Sequence, residues 1–106
     1  MTLNEFQNLA ARTINEDLTV TETERHALFG LASEVGEVLG LYQKVYQGHR
    51  FDVDKVIDEG GDALWMLAEL FTALGISLDD VAQHNVDKLK ARYPDGFSSE
   101  RSINRE

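Results

Sequence analysis

Apolar side chains recur along most of this chain at helical spacing. Leu3, Phe6, Leu9, Ala10 and Ile14 follow Thr2-x-x-Glu5, a capping-box pattern, and predict a first helix. Asn15 to Val20 reads as a connection. Thr21-x-x-Glu24 is a second capping pattern and predicts the start of the longest helix, running to about Gln47 with Gly48 as its stop. Asp52 is placed to cap a third helix that ends near Leu74, before Gly75. Ser77-Leu78-Asp79-Asp80 opens a fourth with acids at its positive end, and Pro94-Asp95-Gly96 closes it. The remaining residues, 98–106, are polar and predicted to be extended. No strand-like alternation persists. The pattern predicts an all-α, four-helix architecture in a single domain spanning 1–106, without repeats or an internal linker.

Placing the predicted helices on a wheel of about 100° per residue shows acids in unexpected positions. On the second helix Leu28, Leu31, Ala32, Val35, Val38, Leu39, Tyr42, Val45 and Tyr46 make a broad apolar arc. Glu34 projects within or at the edge of that arc, and Glu37 lies on its margin. On the third, Val56, Ala63, Leu64, Met66, Leu67, Leu70, Phe71 and Leu74 define the arc, with Glu59 inside it and Asp62 at its edge. Each helix therefore aims an i, i+3 carboxylate pair toward the interior or its rim. Burying such charge costs several kcal/mol on the scale of ~1 to 5 unless it is paired. Four convergent carboxylates suit hard divalent cations, Mg²⁺ first and Mn²⁺ second, in an all-oxygen site. A di-iron site would require Glu-x-x-His, and His26, His49 and His84 do not follow a glutamate at that spacing. Gly36, Gly40, Gly60 and Gly61 sit in the same two helices, either for close helix packing or to leave room for a ligand.

Charge narrows the picture further. With 19 Asp+Glu against 10 Lys+Arg the net charge is −9, which argues against partners such as nucleic acid or an anionic membrane. The absence of cysteine excludes disulfides, thiolate metal sites and thiol nucleophiles. The longest apolar run, Ala63 to Ala68, is far too short to span a bilayer, and the first residues lack signal-peptide character. The expected location is cytoplasmic. The acids are unevenly spread: residues 1–87 carry five basic and sixteen acidic residues, and 88–106 carry five and three. On the fourth helix Leu78, Val81, Ala82, Val86, Leu89 and Tyr93 form the apolar arc, and Asn85, Lys88 and Arg92 line its span or border. That polar line either pairs directly with the carboxylates or grips the phosphates of a ligand whose other oxygens meet the metal.

These residues together resemble a known family. Glu34-x-x-Glu37, a gap of 21 residues and Glu59-x-x-Asp62 are similar to the signature of the MazG-like all-α nucleoside triphosphate pyrophosphohydrolases. Leu31-Ala32-Ser33-Glu34-Val35-Gly36-Glu37-Val38 resembles the first motif, and Glu59-Gly60-Gly61-Asp62-Ala63-Leu64-Trp65 the second. Asn85-x-x-Lys88-Leu89-x-x-Arg92-Tyr93-Pro94-Asp95-Gly96-Phe97 resembles the end of the fourth helix, so the likeness covers roughly 26–97. Gly60-Gly61 departs from the bulkier residue many members carry before the glycine, and Asp58 stands where glutamate is frequent. The resemblance implies Mg²⁺-dependent hydrolysis of a nucleoside triphosphate to the monophosphate and pyrophosphate. It implies Glu34, Glu37, Glu59 and Asp62 as metal ligands and catalytic residues, with Asn85, Lys88, Arg92 and Tyr93 contacting substrate. It also implies a homo-oligomer, a dimer or tetramer with sites near subunit contacts. Trp65, about 180° from the core arc, is then a packing or base-stacking surface. Two alternatives remain: a related enzyme acting on dUTP or phosphoribosyl-ATP, and a non-enzymatic helical interaction module whose acids pair with the fourth helix.

Overall fold

Every helix starts on a side chain that accepts from an otherwise unpaired backbone N–H. The computed structural model describes residues 1–105, which form α1 (Leu3–Ala11), α2 (Val20–Val45), α3 (Val53–Leu74), α4 (Leu78–Arg92) and α5 (Ser99–Ile103). Thr2, Thr19, Asp52, Ser77 and Ser98 are the five caps. The described residues contain no strand, so the all-α reading holds, with one helix more than the pattern predicts.

Helix α1 ends at Ala11, short of Ile14, and three further boundaries differ from the sequence reading. The box that opens α2 is Thr19-x-x-Glu22: Thr19 Oγ1 accepts from Glu22 N at 3.1 Å, and Glu22 Oε1 accepts from Thr19 N at 2.9 Å. Two capping patterns of equal spacing overlap here, and Thr19, with its extended ψ of 166°, makes the upstream one. At the other end α2 stops at Val45, two residues before the expected limit. Gly48 reverses the chain at φ +91°, and His49 N reaches back to Lys44 O at 3.0 Å. The third difference is α5, which occupies residues predicted to be extended. Gly96 N donates to Tyr93 O at 3.2 Å, the Tyr93 and Phe97 rings lie 5.7 Å apart, and Ser98 caps the new helix.

Helices α2 and α3 form the central antiparallel pair. Gly30 lies against Met66, His26 against Glu69, and Glu34 against Glu59. A Cβ at Gly30 would collide with the Met66 side chain, so this glycine, rather than those near the acids, sets the close approach of the two helices. Ala27 is fully buried in the seam, and Glu69, 5% exposed, is held there by a 2.8 Å contact with His26 Nδ1.

Helix α1 closes another side of α3 through one buried amide. Gln7 Nε2 donates to Ile76 O at 2.9 Å and to Thr72 Oγ1 at 3.3 Å, and its Oε1 accepts from Leu78 N at 2.7 Å. One side chain thus satisfies the backbone on both sides of the α3–α4 turn, where unpaired groups would each cost ~1–3 kcal/mol. Trp65 belongs to this contact too. Its indole N–H donates to Thr13 Oγ1 at 2.8 Å, which ties the ring to the α1–α2 connection while the side chain stays exposed. Gly75, at φ +72°, turns the chain so that α4 leaves α3 at 102° and packs on α1, where Asp79 N donates to Asn4 Oδ1 at 3.0 Å. Among the described residues no single helix is long and apolar enough to cross a membrane; only the bent α3–α4 pair meets that composition and length.

Candidate metal centre

The seam between α2 and α3 carries acid where it would ordinarily carry leucine. Residues three or four apart on a helix share a face, so Glu59, Asp62 and Met66 of α3 are turned toward the same neighbour. From α2 the same reasoning puts Ala27, Gly30, Glu34 and Val38 opposite them. Met66 and Ala27 fill their part of the seam. One turn further along, Glu34, Glu59 and Asp62 meet, each half-buried, with one carboxylate oxygen from each within 4.8 Å of the others. Glu37 does not join them. It is exposed, about 60° around α2 from Glu34.

Like charges this close change the chemistry of the group between them. The Glu59 carboxyl is held above its ordinary value, first by hydrogen bonding with Glu34, which requires a proton on one of the two. Desolvation and the neighbouring charges of Glu34, Asp62 and Asp58 act in the same direction. Among the described residues no Lys, Arg or His nitrogen lies within 4.0 Å of these acids; the single ion pair is His26–Glu69. A proton is thus one means of neutralising the cluster, and a divalent cation is another. Three carboxylates from two helices are a hard, all-oxygen donor set suited to Mg²⁺ or Mn²⁺. The residues present fit such an ion.

The glycines favour one of their two readings. A Cβ at Gly36, Gly40, Gly60 or Gly61 would meet nothing within 4 Å, so close packing within this chain does not require any of them. Open space flanks the acids on both helices.

A family model, the MazG nucleotide pyrophosphohydrolase domain, matches residues 22–97. The chain belongs to the MazG family. No curated protein and no solved structure gives a match. The MazG match contains all four predicted acids and Asn85, Lys88, Arg92 and Tyr93, while α1 and α5 lie outside it. The family is one of nucleotide pyrophosphohydrolases, and Glu34, Glu59 and Asp62 are the candidate metal site of this MazG domain.

The predicted substrate residues of the MazG domain are elsewhere. Lys88 and the half-buried Arg92, four residues apart on α4, line a cavity of about 600 Å³ together with α5. Asn85 is exposed one turn earlier and does not line it, and the Tyr93 ring packs at a tilt against Phe97. The direct pairing of α4 cations with the acids, required by the interaction-module reading, is not made among the described residues. What the sequence reading missed is that α5 contributes to the α4 cavity. The signal was present in Ser98-x-x-Arg101, a cap followed by a turn of helix, inside a stretch too polar to read by hydrophobic period.

Proposed function

We propose that this MazG domain hydrolyses (deoxy)nucleoside triphosphates to the monophosphate and pyrophosphate in an Mg²⁺-dependent reaction, as part of cytoplasmic nucleotide-pool house-cleaning. The observation that carries this reading is the meeting of Glu34, Glu59 and Asp62 within a MazG match. Glu34, Glu59 and Asp62 would hold the ion, and Glu37, exposed beside them, is free to take part once a phosphate enters. A bound divalent ion supplies neutralisation of the triphosphate and activation of a water. The proton of that water would pass to Glu37 or Glu34, while Glu59, whose carboxyl is held above its ordinary value first by hydrogen bonding with Glu34, would give up its proton when the ion binds. Lys88 and Arg92 bind phosphate oxygens, with Asn85 and Tyr93 alongside for the sugar.

The reading also involves a second copy of the chain. Acids and cations that serve one polyanion are not within ion-pair distance inside one subunit. In a dimer or tetramer the cations of one subunit can complete the acid cluster of another.

The test is pyrophosphate release with Mg²⁺ across standard and modified NTPs and dNTPs, with dUTP and phosphoribosyl-ATP in the same panel. Wild-type protein should turn over at least one triphosphate, EDTA should abolish the reaction, and Glu59→Gln should lower kcat by ~100-fold or more. An active Glu59→Gln variant would remove Glu59 from the metal site. Turnover restricted to dUTP or phosphoribosyl-ATP would assign the domain to those substrates. No turnover with any nucleotide would leave the domain as an interaction module.

A further inference from the structure

Outside the acid cluster, the most unbalanced part of the molecule is the cavity between α4 and α5. Its walls carry Lys88, Arg92, Arg101 and Arg105 against a single carboxylate, Glu100. In a chain of net charge −9, four cations gather around about 600 Å³ with none of them in an ion pair among the described residues. The cavity at the α2–α3 turn makes the contrast. There Arg50 and Lys55 are matched by Asp52 and Asp54, and the lining has no strong sign.

Two ordinary explanations fall short. Helix-dipole preference accounts for basic residues in the last turn of α4, where Lys90 and Arg92 both lie. It does not account for Arg101 on a separate helix, and Arg105 just after it, lining the same space. Chance placement on a solvated tail fails on the local structure. The Gly96 turn at φ +92°, the Tyr93–Phe97 ring contact and the Ser98 cap together start α5 just beyond the end of α4, where both line the cavity. Ser98 and Asn104 also line the cavity, adding neutral donors beside the guanidinium groups. Planar guanidinium forks on two walls, with hydroxyl and amide donors between them, match the oxygens of a phosphate chain.

We infer that the α4–α5 cavity is the phosphate-chain subsite for the nucleotide, and that Arg101 of α5 and Arg105, just beyond it, bind phosphate oxygens beside Lys88 and Arg92. This rests on the proposed nucleotide hydrolysis for the identity of the ligand, and extends it to residues that lie beyond the matched domain. The segment 98–105 is then part of the binding machinery and not a tail.

The experiment uses the full chain with inorganic tripolyphosphate as probe, titrated by calorimetry with and without Mg²⁺, and the nucleotide assay in parallel. Arg101→Gln/Arg105→Gln should weaken tripolyphosphate by ~10-fold or more and raise KM by a similar factor, with a smaller change in kcat. Both arginines are exposed, so the circular-dichroism melt should not move. Lys90→Gln removes one cation from α4 outside the cavity and should change neither binding nor KM. Equal weakening by Lys90→Gln would reduce the effect to general electrostatics and overturn the subsite. So would wild-type affinity in the double arginine variant, or no tripolyphosphate binding by wild-type protein. A rise in pyrophosphate inhibition constant at unchanged KM would overturn it as a substrate site in favour of a product site. Tripolyphosphate binding that depends on Arg101 and Arg105, in a protein that hydrolyses no nucleotide, would support the subsite and overturn the proposed activity.

Discussion

Glu59 shows how one residue links stability to function. Its carboxyl is raised above the ordinary value by hydrogen bonding with Glu34, with desolvation and the charges of Glu34, Asp62 and Asp58 adding to it. A folded-state value above the unfolded one means that the native protein binds this proton more tightly than the unfolded chain does. Protonated Glu59 therefore favours the fold at low pH, and that contribution is lost as pH rises through the folded-state value. For metal-free protein, the melting temperature of wild type relative to Glu59→Gln should fall as pH is raised from the ordinary carboxylate range to about pH 8. Gln keeps the shape and hydrogen bonding without the charge, so Glu59→Gln should melt higher than wild type in EDTA at pH 8. Millimolar Mg²⁺ should raise the wild-type melt and leave Glu59→Gln nearly unmoved. A wild-type melt that ignores both pH and Mg²⁺ across this range would contradict the cluster. At this scale the sequence was informative. Glu34, Glu59 and Asp62 could be picked out because acids within an apolar arc violate the pattern around them. Glu37 has the same spacing from Glu34 as Asp62 has from Glu59, yet it falls outside the cluster. Spacing fixes the angle about a helix axis and says nothing of where the neighbouring helix lies.

At the scale of elements, helix ends depend on which of several adequate caps is used. Thr19-x-x-Glu22 and Thr21-x-x-Glu24 are equally good on paper, and both lie in a run of residues compatible with helix. The upstream pair closes its two hydrogen bonds, leaving Thr21 in the first turn with an exposed side chain. Thr19→Ala should therefore cost ~1 kcal/mol in urea denaturation, while Thr21→Ala should stay within about 0.5 kcal/mol of wild type. The reverse order would restore the downstream start. Helices α1, α3 and α4 were legible because period and cap agreed, with Gly75 as a glycine stop after α3. Helix α5 was not, because five residues with little apolar content give no period to read. The glycines divided in the same way. Gly30, inconspicuous in sequence, sits against Met66, whereas the four conspicuous ones border open space. Contact across a helix pair depends on register, and no single helix contains that information.

The molecule as a whole is open for a chain of its length. Its radius of gyration is 17.0 Å, against about 13 Å for a globular chain of this length. The apolar arc of α2 explains the difference. Leu31 and Val38 turn toward α3, but Leu28, Val35, Leu39, Tyr42 and Tyr46 remain exposed, Leu39 at 64% and Tyr46 at 94%. These five recur at intervals of seven, four, three and four, which keeps them within about 40° of one line along the helix. That line is about 120° from the face that holds Glu34. A stripe with this spacing is suited to a helix–helix contact, where burying one such side chain would contribute ~1.5–3 kcal/mol. A second copy of α2, antiparallel or parallel, offers the same stripe in return. The protein should sediment as a dimer or larger at micromolar concentration. Val35→Glu/Leu39→Glu should shift it toward monomer in analytical ultracentrifugation, since charge on the seam has no partner there. Because the carboxylates and the α4–α5 cations do not meet within one subunit, the monomeric variant should also lose nucleotide hydrolysis. Its Glu34, Glu59 and Asp62 are all still present, so Mg²⁺ should continue to raise its melting temperature. Full activity in a monomer would show that a single chain completes the site. Loss of activity with retained Mg²⁺ response would place the missing component on the partner.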